Sequence, residues 1–237
     1  MRPRAVALAS AALLALGAAP GTASGTGSTP LPERMADTGG GSQLITAEAA
    51  HTGSTRGTVT WWDRRGGGRW VAVGSAPARF GAKGLVAGGS RRQGTRTTPT
   101  GVYGLPYAFG INPRPAGTGH RYRRVTPDSW WCQDNRSHAY NRWTEPRPAD
   151  CRAAESEHLS AYAPQYAHAL VIGFNYDRPV RGRGAGIFLH VNGRGATAGC
   201  VSVPLEAMRR ILRWAEPDRR PHIAIGTESG PTALTRR

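Results

Sequence analysis

His190 and Cys200 are the residues in this chain best suited to do chemistry. His190 lies in the apolar run Gly186-Ile187-Phe188-Leu189-His190-Val191. Cys200 follows ten positions later, in Gly195-Ala196-Thr197-Ala198-Gly199-Cys200-Val201-Ser202-Val203. A free thiol has a pKa of about 8.5 and is a weak nucleophile near neutral pH until a base draws off its proton. Imidazole is the usual base, so the two side chains form a candidate nucleophile pair. The same residues also read as a buried structural cysteine beside an ordinary strand histidine, and spacing alone leaves both readings open. His138, His158 and His168 show neither His-Glu-x-x-His nor paired-cysteine spacing, so no metal site and no cofactor are expected.

The chain has three cysteines, which cannot all pair within one molecule. Cys132 and Cys151 flank residues 133–150, a polar segment containing Pro146 and Pro148 and few apolar side chains. A bridge there would close a loop of about 20 residues and stabilise by roughly 3 kcal/mol on the chain-entropy account. Cys132–Cys151 is therefore the favoured pairing and leaves Cys200 free, although three cysteines allow three single pairings.

Such a bridge persists outside the cytoplasm, and the first residues point there. Arg2 and Arg4 precede an apolar stretch over residues 6–19, and small residues follow in Gly21-Thr22-Ala23-Ser24. This is the pattern of a Sec-type signal peptide over residues 1–24. The stretch is too short for a comfortable membrane span, so no transmembrane segment is expected after signal removal. A secreted, extracytoplasmic protein is expected. The formal charge is +16, and Lys83 is the only lysine, so arginine carries nearly all of it. Arginine's fork suits carboxylates and phosphates. Export argues against nucleic acid as the partner and favours anionic cell-wall polymers. A coding bias towards arginine would give much of the same excess with no function.

Rigid elements must hold the pair in place. Residues 25–43 are rich in Gly, Ser, Thr and Pro and read as a flexible linker, and residues 229–237 as a disordered tail. Between them, residues 44–228 form one domain without internal repeats. Residues 57–62 and 69–73 read as β-strands joined by the turn Arg64-Arg65-Gly66-Gly67-Gly68. Further strands are expected over residues 102–105, 169–174, 186–191, 200–203 and 222–225. Trp61 and Trp70 read as core or cross-strand packing in preference to a sugar platform. One helix starts at Pro204, with Leu205, Met208, Ile211, Leu212 and Ala215 on a single stripe and Pro217 beyond its end. The fold class is mainly β with a short C-terminal helix, and Cys200 sits just before a strand–helix unit.

The residues around the pair resemble a known signature. Phe188-Leu189-His190-Val191, a short glycine loop and Thr197-Ala198-Gly199-Cys200-Val201-Ser202 are similar to that of the L,D-transpeptidase catalytic domain, also called the YkuD domain. That family has a histidine at a strand end, then Ser/Thr-His-Gly-Cys, a hydrophobic residue and a polar one. Upstream, Arg92-Gln93-Gly94-Thr95-Arg96-Thr97-Thr98-Pro99-Thr100-Gly101-Val102-Tyr103 resembles its Gly-x-x-x-Thr-Pro-x-Gly-x-Tyr/Phe segment. The two elements stand in the family's order, and the resemblance covers about residues 44–226. The chain departs at Ala198, where the family has a second histidine, at Ser202, where it has Asn or Arg, and in a shorter His190-to-Cys200 interval. The segment from Cys132 to Cys151 looks like an insertion or lid.

The resemblance implies a β-sandwich or mixed-sheet domain and a peptidoglycan L,D-transpeptidase that acts as a monomer on stem peptides. His190 would take the thiol proton, and Cys200 would attack a tetrapeptide stem. The acyl group would then pass to an amine of a neighbouring stem, or to water in an L,D-carboxypeptidase. Backbone N–H groups of Ala198, Gly199 and Cys200 would hold the oxyanion. The Val191 carbonyl would orient the imidazole in place of an acidic triad member. Thr197, Ser202, Tyr176 and Arg194 are substrate-binding candidates. Tyr176 is named because the family can place a tyrosine hydroxyl near the oxyanion, and Arg194 because it could meet a substrate carboxylate. A papain-like enzyme has cysteine before histidine, opposite to the order here. A non-catalytic wall-binding protein that keeps the fold is the other alternative.

Overall fold

The computed structural model describes residues 28–236, so the expected signal peptide over residues 1–24 lies outside the described residues. Strand β1 (Gln43–Ala49) pairs antiparallel with β2 (Arg56–Arg64), which pairs antiparallel with β3 (Trp70–Arg79) across the glycine turn Gly66–Gly68. The turn is where the sequence places it, but β3 runs on to Arg79, past the expected end at Val73. Gly74, Ser75 and Pro77 weaken the β signal there, while Ala76 and Ala78 still face the core. Gly74 itself lies under the Trp61 ring. A Cβ there would come within 2.2 Å of the indole, so only glycine lets the ring lie flat across the pair.

The other strands, in chain order, are β4 (Leu85–Ala87), β5 (Thr98–Gly104), β6 (Ala108–Gly110), β7 (Tyr122–Arg124), β8 (Trp130–Cys132), β9 (Arg142–Thr144), β10 (Glu157–His158), β11 (Ala169–Val171), β12 (Phe188–Val191), β13 (Val201–Val203) and β14 (His222–Thr227). Eleven of them form one mixed sheet in the order β4-β5-β14-β1-β2-β3-β13-β12-β11-β6-β7. The remaining three, β10-β8-β9, form a small antiparallel sheet. Helix α1 (Leu205–Trp214) follows β13 directly and buries Ala207, Met208, Ile211 and Leu212, the stripe set by 3.6-residue periodicity. Ile45 and Ile223 from one part of the large sheet share a single buried cluster with Leu170, Leu189 and Val203 from another and with α1. The sheet therefore curls around one apolar core. Trp61 and Trp70 are both buried, as packing residues should be.

Both ends of the chain differ from expectation. The stretch expected as linker carries a short 3-10 turn, Leu31–Arg34, whose Leu31 packs with Leu44, Trp70, Ala224 and Leu234. The stretch expected as a disordered tail buries Ala233 and Leu234. One or two apolar residues in a polar context are enough to dock a short segment on a sheet face that already exposes apolar surface.

Cys132 and Cys151 are joined by a disulfide, with Cα atoms 6.2 Å apart, and Cys200 is free and buried. The bridge staples the small sheet. Asp134 is fully buried and takes two hydrogen bonds from the Arg152 guanidinium, at 2.6 and 3.0 Å. Trp130 stacks on His158 with ring centroids 4.4 Å apart. Asn141 ties this lid to the main sheet by accepting from Trp131 Nε1 at 2.9 Å and from the Gly186 N–H at 3.0 Å.

Candidate active site

β12 and β13 run parallel, with Leu189 opposite Val201 and His190 opposite Ser202. This register sets Cys200, one residue before β13, beside Phe188. The Phe188 N–H donates to Cys200 Sγ at 3.4 Å, and the thiol donates to the Gly186 carbonyl at 3.4 Å. The Cys200 main chain is clamped as well. Its carbonyl accepts from Thr197 Oγ1 at 2.6 Å and Thr98 Oγ1 at 3.3 Å. Thr197 pairs with the chain at Phe80 and Ala82 through backbone bonds of 2.8 and 2.9 Å. The Thr-Pro segment and the Gly-Cys loop, far apart in sequence, thus meet at the thiol.

Gly199 has φ 144°, in the region that favours glycine, and a Cβ there would lie 2.8 Å from the Arg91 guanidinium and 2.9 Å from the Thr97 carbonyl. Arg91 is a buried cation held by the carbonyls of Thr97 and Arg183, at 2.9 and 3.2 Å. Among the described residues it has no acidic partner.

His190 and Cys200 line one pocket of about 260 Å³ together with Ala198, Thr197, Arg194, Glu157 and Tyr166. No hydrogen bond joins the imidazole to the sulfur among the described residues. His190 Nδ1 instead meets the Val191 carbonyl at 2.8 Å. A carbonyl only accepts, so Nδ1 carries the proton and Nε2 keeps its lone pair. Burial lowers the His190 pKa to about 4, against the raising effect of that carbonyl. Burial likewise pushes the Cys200 thiol up to about 12, with the Glu157 carboxylate raising it further and the Phe188 N–H and Arg91 opposing. Both groups are therefore neutral at rest.

The remaining expected residues are spread more widely. Thr197 Oγ1 accepts from the Gly199 N–H at 3.1 Å, which occupies that amide. Ser202 is fully buried and donates to Asn192 Oδ1 at 2.8 Å, away from the pocket lining. Arg194 is exposed at the pocket rim. Tyr176 lines a separate pocket of about 170 Å³ with Tyr107 and Trp143, and the Arg142 guanidinium lies 4.8 Å from its ring.

Nothing in the sequence marks out two of the pocket residues. Glu157 accepts from Gln133 Nε2 at 2.8 Å and from the Tyr166 hydroxyl. Tyr166 is buried and packs edge-on against the His190 ring, with centroids 5.6 Å apart. Glu157 lies in a polar run, Ser156-Glu157-His158, that looks like solvated surface. Only the pairing of β10 with β8 turns it towards the thiol. Among the described residues no group of three or more His, Cys, Asp or Glu side chains is placed to hold a metal, and no described helix is long and apolar enough to cross a membrane.

No curated protein is similar enough to match the chain. The solved structure of the helical cell shape determining protein Pgp2 from Campylobacter jejuni is similar at 13% identity and a TM-score of 0.39. The similarity covers 86% of this chain and 56% of that one, so this chain spans little more than half of the Pgp2 chain. The L,D-transpeptidase catalytic domain, YkuD, matches residues 50–227, which include the Thr-Pro segment, His190 and Cys200. With about three quarters of its length matched, and a mainly β fold carrying a single described α-helix, the chain belongs to the L,D-transpeptidase catalytic domain family.

Proposed function

We propose that the chain is an exported, cysteine-dependent acyltransferase that remodels peptidoglycan. The observation that carries this reading is the Nδ1 bond of His190 to the Val191 carbonyl, which leaves Nε2 as a free base in the pocket that Cys200 lines. As Cys200 Sγ attacks the carbonyl carbon of a stem peptide, its proton passes to Nε2. The amides of Ala198 and Cys200 receive the oxyanion, while Thr197 holds that of Gly199. Collapse of the tetrahedral species breaks the bond to the terminal D-amino acid, whose amine takes the proton back from the imidazolium. The thioester then passes to an amine of a second stem, with water as the competing acceptor. Because thiol and imidazole are neutral at rest, the proton moves during attack instead of beforehand. The Cys132–Cys151 disulfide supports a location outside the cytoplasm.

Mass spectrometry of the protein incubated with a tetrapeptide stem tests the reading. Wild type should show a thioester on Cys200 and release D-alanine, and Cys200→Ala should do neither. His190→Ala should stay folded and lose on the order of 10²–10⁴ in rate. Ala198 in place of the family's second histidine favours one other reading, a wall-binding protein that keeps the fold. Failure of wild type to form any adduct with either a stem or a carbapenem would put that reading first.

A further inference from the structure

Glu157 is the one acidic side chain that lines the pocket of Cys200 and His190. Its partners are neutral, Gln133 Nε2 at 2.8 Å and the Tyr166 hydroxyl, and it makes no ion pair among the described residues. Arg194 lines the same pocket and does not pair with it. This is notable in a chain of net charge +16, where Asp63, Asp134, Glu145 and Glu206 all pair with arginine. Burial raises the Glu157 pKa, against the lowering effect of its bonds from Tyr166 and Gln133, so a cation beside it would favour the ionised form. That form has about four acceptor positions, and two donors leave the others for a ligand. Its field also works against the reaction, since it disfavours charge on the nearby sulfur. Both the unfilled acceptor positions and the opposing field are answered by one ligand group, a cation delivered by the substrate.

We propose that Glu157 receives a primary ammonium group of the peptide substrate and so selects amine-bearing stems, an inference that rests on the transpeptidase reading and deepens it. The lid carries this residue on β10, which pairs with β8, and the bridge ties Cys132 of β8 to Cys151 just upstream of β10. The insertion thereby supplies the specificity wall, and the main sheet supplies the nucleophile. An ammonium seated on Glu157 screens its charge from Cys200 during attack. Two sources offer that ammonium, a side-chain amine of the acyl donor and the attacking amine of the acceptor.

The first experiment uses the Cys200→Ala chain, in which no chemistry intervenes. The probe is a tetrapeptide with lysine in third place and D-alanine in fourth, its side-chain amine either free or acetylated. Calorimetry should show the free amine binding about 10- to 100-fold more tightly, as a charge-assisted bond does. Adding Glu157→Gln, which keeps the side chain's shape and an acceptor oxygen for Tyr166, should erase that preference. If this double variant fails to fold, Glu157→Asp in the Cys200→Ala chain, which draws the carboxylate back by one methylene, takes its place, and the preference for the free amine should fall there too. The second experiment loads the active chain with the acetylated donor and lets a lysine-bearing peptide and water compete for the thioester. Glu157→Gln should then lower the ratio of aminolysis to hydrolysis about tenfold if the ammonium is the acceptor's. A preference in either arm that depends on Glu157 upholds the proposal and names the source. Equal affinities together with an unchanged ratio overturn it, as does a binding preference that survives Glu157→Gln. If the active chain forms no thioester, the transpeptidase reading fails by itself and the calorimetry still decides the role of Glu157.

Discussion

The main sheet and the three-stranded lid meet at one pocket but are stabilised by different physics. In the sheet and the helix packed on it, Ile45, Val59, Leu189 and Val203 of the strands and Met208 and Ile211 of α1 are fully buried in one apolar cluster. Each such side chain contributes about 1.5–3 kcal/mol relative to exposure. The lid strands β8, β9 and β10 contain no aliphatic side chain of that size. They rely instead on one buried ring, Trp131 packed against Phe188, together with a disulfide, the Asp134–Arg152 pair, the Trp130–His158 stack and the bonds of Asn141. Cys200, the proposed nucleophile, therefore stands on a part that cannot shift without disrupting the core. Glu157 stands on a part whose position depends on one buried aromatic ring, one covalent staple and a few polar contacts. Separating the two lets the specificity wall change without disturbing the chemistry.

The largest expected effect is at Phe188, whose ring joins the two regions. It is fully buried and edge-on to Phe109 and Trp131, with centroids 5.0 and 4.8 Å away. Phe188→Ala should cost about 3–5 kcal/mol and unseat the lid. Urea unfolding gives the first number, and amide exchange across residues 130–158 reports the second. Lid amides that stay as protected as in wild type would show that the aromatic contact is not what seats it. Next comes the bridge. Cys132→Ala with Cys151→Ala should remove about 3 kcal/mol on the chain-entropy account, with exchange accelerated in the lid and unchanged in β12 and α1. A uniform loss would mean that lid and sheet unfold as one unit, and the contrast between them would dissolve.

What could be read from the sequence follows the same division. Much of the sheet announces itself because strands such as β12 and β14 are apolar runs and because α1 repeats Met208, Ile211 and Leu212 on one face, whereas the three-residue strands β4, β6 and β7 of the same sheet give no such signal. The glycine turn between β2 and β3 is local chemistry and equally legible. His190 and Cys200 stand out because their types and spacing imply a reaction by themselves. The lid strands are two or three residues long, too short for any periodic pattern to emerge. Glu157 acquires its meaning only from tertiary placement, and Arg91 is hidden by the abundance of arginine around it. Tyr176 shows the reverse case. Its distance from His190 fits a role near the oxyanion, yet the chain turns it towards Tyr107 and Trp143 in a different pocket. Leu31 and Leu234 are single apolar residues in polar stretches, and nothing local shows that a face of the sheet will cover them.

Acid should separate the regions by smaller increments, because each holds a titratable group with a displaced pKa. Burial lowers His190 to about 4, against about 6.5 for a free histidine. Between those values the unfolded chain binds a proton at this position and the folded chain does not. The stabilisation is thus complete above about pH 6.5 and is lost as the pH falls towards 4. Going from pH 7 to pH 5 should remove about 2 kcal/mol through this residue. His120 and His168 are also lowered by burial and act in the same direction. The share due to His190 is therefore the difference from His190→Asn, whose amide can still donate to the Val191 carbonyl. In the lid the window lies lower. Hydrogen bonds from Arg152 hold the Asp134 carboxyl below the usual carboxylate range. Its stabilisation is present above about pH 4 and fades below it. Urea unfolding from pH 7 to pH 5 should therefore weaken the sheet through His190 while the Asp134–Arg152 pair stays intact. An acid slope in His190→Asn as steep as that of wild type would show that the folded imidazole titrates as the unfolded one does, and that burial does not hold it neutral as the pH falls.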